Sequence, residues 1–332
     1  MGLAPGTMVT DKVRLKRPLE EGAMGTVWVA DHLGFNAEVA VKFILPELQQ
    51  QNPQALARFN QEAKALGRIK SQHVVQIFDR SEMPDGTPFI VMELLEGESL
   101  VERLERAGAV PPELLAKIIR QLADALYEVH RHEIVHRDMK AENIFLSGHE
   151  SNPFVKLLDF GVCKLPVEGN KAKLTTPGML VGTPEYMSPT QTVAAMAVDH
   201  KADLWALAVL SYLSLTLQFP FVGENTRDVF AAIRGGQFTP VSYLRPDLGT
   251  AYDALFARAF LSDPKQRYES AADYATAFEQ ILLGQQLAAA GAAASGDPSV
   301  ARSQSQTKWL ILGLIGASLI IILLLLIILL RG

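Results

Sequence analysis

The chain has 332 residues, with 31 Lys and Arg against 36 Asp and Glu, a net charge of −5 and a hydrophobic fraction of 48%. That length suffices for one large domain or two lobes with separate cores, and the acidic balance argues against a nucleic-acid binder, which needs a basic face. A single cysteine, Cys163, excludes an internal disulfide framework and fits a reducing compartment.

In chain order, residues 1–12 read as a flexible lead. Met1 to Asp11 show no basic stretch followed by an apolar run, so no secretory leader is expected. Val13 to about Leu45 carries strand character, with apolar alternation in Val27-Trp28-Val29-Ala30 and Val39-Ala40-Val41-Lys42-Phe43. Pro53 to Ile69 predicts a helix: Asn52 is an N-cap, Pro53 suits the first turn, and Leu56, Phe59, Ala63 and Leu66 share a face. Strand character returns at Val74 to Phe78 and Phe89 to Leu94. After Gly97 the pattern becomes mostly helical, with amphipathic segments near 113–131, 202–217, 226–234 and 251–261. Residues 284–308 are rich in Gln, Ala, Gly and Ser and read as a flexible linker, because they cannot bury enough surface to order themselves.

Trp309 to Leu330 contains no charged residue. At about 1.5 Å of rise per residue it makes a helix of about 33 Å, long enough for a hydrocarbon core of about 30 Å. Core helices of that length show a polar face, and this one has none, so a transmembrane helix is expected at 309–330. Arg302 and Lys308 before it, against Arg331 after it, weakly favour an N-terminal side inside the cell. Gly313 and Ala317 form a small-xxx-small pair that allows two such helices to pack, or merely interrupts a leucine run.

The residues that carry chemistry lie earlier. Gly22 and Gly25, in Glu20-Glu21-Gly22-Ala23-Met24-Gly25-Thr26-Val27, sit between two expected strands and let backbone N–H groups approach phosphate oxygens. Alone, this segment fits a plain hairpin as well. Lys42 closes an apolar strand, where a cation is costly unless an anion meets it. Glu62 on the next helix is a candidate partner, although both residues also fit a solvated surface. Further on stand His136-Arg137-Asp138-Met139-Lys140-Ala141-Glu142-Asn143 and Asp159-Phe160-Gly161. Phosphoryl transfer needs a carboxylate near the attacking hydroxyl, hard oxygen ligands for magnesium, and cations against phosphate charge. Asp138, Asn143, Asp159 and Lys140 supply that set, while His136 in its apolar setting reads as a structural histidine.

These motifs, in this order and spacing, resemble a eukaryotic-type protein kinase, most closely the bacterial serine/threonine kinases, over residues 13–283. The resemblance implies an α+β bilobal fold: a β-rich N-lobe over 13–95 and a helical C-lobe over 96–283. It implies that Gly22 and Gly25 cover the phosphates of ATP, that Val27 belongs to the same nucleotide site, and that Lys42 touches the phosphates while pairing with Glu62. The backbone of Glu93 to Leu95 would bind adenine, with Met92 before it as gatekeeper. Asp138 would be the catalytic base, Lys140 a contact to the γ-phosphate, and Asn143 and Asp159 ligands of Mg²⁺, with Mn²⁺ as a substitute. Lys140 and Gly182-Thr183-Pro184-Glu185-Tyr186 point to serine/threonine rather than tyrosine substrates. The resemblance implies ATP and a protein substrate as partners; the apolar tail adds the bilayer and allows a homodimer through the anchor, and the acidic balance argues against nucleic acid. The location implied is the cell membrane, with a cytoplasmic catalytic body engaged in signal transduction.

A buried cation beside the base, Arg137, is comfortable only with an anion. Phosphate on Thr175 or Thr176 would supply one and order the activation segment, unless these are ordinary loop threonines. Three positions depart from the family pattern. Glu20 replaces the first loop glycine, and Ala208 replaces another glycine. Thr190 in Ser188-Pro189-Thr190 replaces a carboxylate expected to pair with Arg267, so Arg267 needs another acceptor. A non-catalytic membrane scaffold and a small-molecule phosphotransferase are the rival readings. The intact Lys42, Asp138, Asn143 and Asp159 oppose the first, and the Gly-Thr-Pro-x-Tyr segment opposes the second.

Overall fold

A computed structural model describes residues 3–22, 25–44, 67, 69–159, 183–193 and 198–294. The N-terminal part is a five-stranded antiparallel sheet in the order β1-β2-β3-β5-β4. Its strands are β1 (Val13–Gly22), β2 (Gly25–His32), β3 (Ala37–Ile44), β4 (Ile77–Glu82) and β5 (Pro88–Glu93). Pro18 lies in β1, an edge strand where a missing donor costs least, and the β1–β2 register shifts beside it. Period-2 alternation sends Val13, Leu15, Val39, Val41, Phe43, Phe89 and Val91 into one core. Leu3 and Val9 join that core, and Gly6 N–H donates to the Leu15 carbonyl at 2.7 Å. Val9 is buried and Leu3 half-buried against this core, while most other residues of 3–12 are exposed. The register Gly22↔Gly25 puts the two loop glycines opposite each other at the open end of β1 and β2.

β5 ends at Glu93, and the chain crosses to the C-lobe through Gly97. A Cβ at Gly97 would stand 2.1 Å from the Leu146 carbonyl oxygen, so only glycine allows this approach. A small sheet follows, β6 (Glu98–Ser99), β7 (Ile144–His149) and β8 (Asn152–Leu157), in that order. Ser99 caps helix α1 (Leu100–Ala107) in a capping box with Glu102, a device worth about 1 kcal/mol. Helix α2 (Pro112–Arg131) packs against β8 with Leu115, Ile118, Ile119, Leu122 and Leu126 buried. Helix α3 (Lys201–Thr216) is buried almost all round, so the amphipathic expectation there fails: neighbours cover every face. Trp205 stacks on Phe221 at 5.3 Å and meets Phe260 at 5.1 Å, and Tyr212 packs on Phe256 at 5.3 Å. Helices α4 (Thr226–Gly235), α5 (Val241–Leu244), α6 (Ala251–Ala259) and α7 (Ala271–Ala294) complete the lobe.

Two further expectations change. The strand expected at Val74 to Phe78 is instead β4 at Ile77–Glu82, while Val74, 3% exposed, forms a parallel bridge with Leu157. The expected linker begins later than 284, since α7 continues to Ala294; its alanines are the strongest helix formers. Among the described residues no helix is long and apolar enough to cross a membrane. The span expected at 309–330 lies outside them, as do Glu62, Thr175, Thr176 and nearly all of the helix expected at 53–69.

Candidate active site

The site is built around a carboxylate that the motifs did not reveal. Asp203, 1% exposed in α3, accepts the His136 N–H through Oδ2 and the Arg137 N–H through Oδ1, both at 2.8 Å. The same Oδ2 lies 2.8 Å from His130 Nε2. These bonds hold Arg137 in the left-handed region at φ 65, a conformation costing a non-glycine residue about 1 kcal/mol or more unless its surroundings enforce it. The signal in the sequence was one acid near the start of an otherwise apolar helix.

His136 is fully buried. Its Nε2 bonds the Leu158 carbonyl at 2.8 Å, and the Asp138 N–H donates to its Nδ1 at 3.3 Å. Burial depresses its pKa, outweighing the opposing pull of Asp203, the Leu158 carbonyl, Asp138 and Asp159. The ring is thus neutral, with Nε2 as donor, and it positions Asp138 as the structural-histidine reading expects.

Asn143 closes the loop. Its Nδ2 donates to the Asp138 carbonyl at 2.8 Å, to Asp138 Oδ2 at 3.1 Å and to the Asp159 carbonyl at 3.3 Å. Its Oδ1 enters no hydrogen bond among the described residues. Asp159 arrives from the other side, directly after β8: Leu158 N–H donates to the Asn143 carbonyl at 2.8 Å. Lys42 Nζ, from β3, bonds and ion-pairs with Asp159 Oδ2. Desolvation pushes the Asp159 carboxyl up, but the Lys42 ammonium outweighs it and holds the group below the ordinary carboxylate range. An amide oxygen and an ionised carboxylate beside Asp138 are a suitable hard-oxygen set for Mg²⁺, which takes few protein ligands and completes its shell with phosphate and water. Among the described residues there is no cluster of three or more His, Cys, Asp or Glu that would suit a softer or all-protein metal site.

The structure thus brings Lys42, Asp138, Asn143 and Asp159 together. Lys140 sits in the same loop, its Nζ 3.8 Å from Glu142. Gly22 ends β1 opposite Gly25, and Gly25 and Val27 lie on β2 beside β3, where Val27 pairs with Lys42 in register. Leu95 follows the end of β5, and its backbone makes no hydrogen bond among the described residues. On the far side, the Tyr186 hydroxyl accepts the Ala141 N–H at 3.3 Å, fastening residues 184–186 to the catalytic loop.

Arg267 resolves the question raised by Thr190. It is 4% exposed, with Nε donating to the Leu261 carbonyl at 2.6 Å, Nη2 to the Ser262 carbonyl at 3.1 Å, and its guanidinium 4.7 Å from the Trp205 ring. Backbone carbonyls and an aromatic face replace the missing carboxylate. Burial nevertheless pushes its pKa down to about 10, the attraction of Asp199 and Asp263 being insufficient to offset it.

This arrangement on a bilobal scaffold is of the kind that phosphoryl transfer needs, and comparison with known proteins points the same way. Residues 13–274 match the protein kinase domain family. The chain is 37% identical over 273 residues to the serine/threonine-protein kinase Pkn1 of Myxococcus xanthus, covering 81% of this chain and 38% of that protein. It is 35% identical over 279 residues to PknA of Corynebacterium glutamicum, covering 82% of this chain and 56% of that one. The chain therefore spans between about a third and somewhat more than half of the length of these relatives. The crystal structure of the Mycobacterium tuberculosis PknI kinase domain superposes with a TM-score of 0.66 at 25% identity, covering 85% of this chain and all of that one. The chain belongs to the protein kinase family, in its bacterial, eukaryotic-type serine/threonine branch.

Proposed function

We propose that the chain transfers the γ-phosphate of ATP to serine or threonine hydroxyls of proteins. The observation that carries this is the meeting of Asp138, Asn143 and the Lys42–Asp159 pair around one short loop. In this reading Asn143 Oδ1 and the Asp159 carboxylate hold Mg²⁺, which offsets phosphate charge when bound, and Lys42 and Lys140 add cationic partners. The Glu93 to Leu95 backbone holds adenine, and Asp138 accepts the proton of the attacking hydroxyl. Titration calorimetry of the full chain with MgATP tests the nucleotide site: magnesium-dependent uptake is expected, and its absence would refute the reading.

Regulation follows from Arg137. Its Nε is buried without a partner among the described residues, so the side chain suits an incoming phosphate. Autophosphorylation of Thr175 or Thr176 would supply it and order the segment between Asp159 and Pro189. Peptide mapping after incubation with ATP should find the phosphate there, and full activity in a double alanine variant would exclude the switch. The apolar stretch 309–330 supports a single-pass anchor with the catalytic body in the cytoplasm, where ATP is, and Gly313 with Ala317 supports pairing of two anchors. Membrane fractionation of the full chain against a form ending at residue 308 tests the anchor. Equal release of both into the soluble fraction would remove it.

A further inference from the structure

In the phosphotransfer reading Glu93 serves through its backbone, which leaves its side chain unexplained. That carboxylate is a junction. Its Oε1 accepts the Gln76 N–H at 2.7 Å and Lys156 Nζ at 2.6 Å, while the Glu93 N–H donates back to the Gln76 carbonyl at 3.0 Å. The two charged side chains are only 21% and 12% exposed.

The position of the pair gives it meaning. Glu93 ends β5 at the adenine edge. Lys156 stands in β8, three residues before Asp159. The intervening strip is stitched by backbone: Val75 N–H donates to the Leu157 carbonyl at 3.0 Å, and Leu157 N–H donates to the His73 carbonyl at 2.8 Å. His73 Nδ1 meets the Val155 carbonyl at 2.9 Å. One oxygen of Glu93 thus ties the last N-lobe strand, the segment leading into β4 and the strand that delivers Asp159. Adenine and metal–phosphate would bind at opposite ends of this tie.

We propose that Lys156 and the Glu93 side chain form a strap between the lobes that fixes the distance from the adenine edge to Asp159, making Lys156 a positioning residue for the nucleotide. The proposal rests on the phosphotransfer reading of the site. Loosening the strap leaves each lobe's core intact but frees their spacing, so the cost falls on nucleotide affinity before it falls on stability. The pair is half-buried, where attraction is stronger than at a solvated surface and a lone charge is poorly tolerated.

The test compares the full chain in detergent with Lys156→Met, Lys156→Arg, Glu93→Gln and the double variant Lys156→Met/Glu93→Gln, measuring MgATP dissociation constants by calorimetry and Tm without nucleotide. Lys156→Met should weaken MgATP binding at least threefold, Lys156→Arg should stay within twofold of wild type, and the double variant should bind no worse than Lys156→Met alone. Unchanged or tighter binding in Lys156→Met, equal losses in the Met and Arg variants, or losses that multiply in the double variant would overturn the strap. So would a fall in Tm with no change in affinity. Wild type that binds MgATP while Lys156→Met matches it leaves the phosphotransfer reading standing without the strap; wild type that takes up no MgATP overturns both.

Discussion

Replacing Arg267 by methionine should cost less than removing one partner of a buried ion pair does. The guanidinium is 4% exposed and bonds two backbone carbonyls, at 2.6 and 3.1 Å, beneath the Trp205 ring. Those charge-assisted bonds contribute about 1.5–3 kcal/mol each, and the ring contact about 1 kcal/mol. Against them stands incompletely relieved desolvation: a pKa lowered from 12.5 to about 10 corresponds to about 3 kcal/mol against the charged form. Methionine keeps an unbranched apolar stem against Trp205 and removes the desolvated charge, although it leaves two carbonyls short of a donor. Bonds and ring contact come to about 4–7 kcal/mol against about 3 kcal/mol of desolvation, so the balance is a loss of about 1–4 kcal/mol at neutral pH, centred below the 3–5 kcal/mol typical when one partner of a buried pair is removed. Urea unfolding of wild type and Arg267→Met, followed by fluorescence and analysed for both midpoint and slope, measures it. A loss above about 4 kcal/mol would show that a carboxylate does pair with Arg267 and that the replacement of its partner by Thr190 has been compensated elsewhere.

Other consequences concern the catalytic loop. Asn143→Asp removes a donor to three acceptors and places a carboxylate near Asp138 Oδ2, 3.1 Å from the present nitrogen. At an effective dielectric near 20, like charges about 4 Å apart repel by about 4 kcal/mol, so phosphate transfer should fall at least a hundredfold, and transfer within tenfold of wild type would contradict this arrangement. His136 is buried neutral with a depressed pKa, so below about 6.5 the unfolded chain binds a proton that the folded chain refuses. Stability then rises with pH through that window, by up to about 1.4 kcal/mol per pH unit. His136→Gln should flatten the slope between pH 5 and 7 whatever its absolute stability, and an unchanged slope would refute the assignment. Asp159 has the opposite origin and the same sign: its carboxyl is held low by Lys42. Its stabilising charge is present above about pH 4 and is lost as pH falls further, so Lys42→Met should make acid unfolding below pH 4 less steep.

The sequence was most legible where one period dominates. Helix α2 was expected at 113–131 and runs from Pro112 to Arg131, and α6 was expected from 251 and starts there. The polar loop was equally clear, since Asp138, Asn143 and Asp159 lie close in sequence and their residue types have few other uses together. β4 was misplaced because its residues, Ile-Phe-Asp-Arg-Ser-Glu, are largely exposed and lack alternation, whereas Val74 and Val75 are apolar because they meet β8. The last turns of α7 read as linker because their Ala-rich residues carry no apolar period to mark a helix. Asp203 and the Glu93–Lys156 tie act across 66 and 63 positions of chain, a separation at which a single sequence carries no pairing signal.

The most direct measurement is transfer of labelled phosphate from ATP by the full chain in detergent, set beside Asp138→Asn. Loss of the proton acceptor should lower transfer at least a hundredfold, within the range general base catalysis supplies, while MgATP affinity stays within about threefold because Asn143, Asp159 and Lys42 remain. Equal transfer by the two proteins would contradict the assignment of Asp138 and the phosphotransfer account built on it.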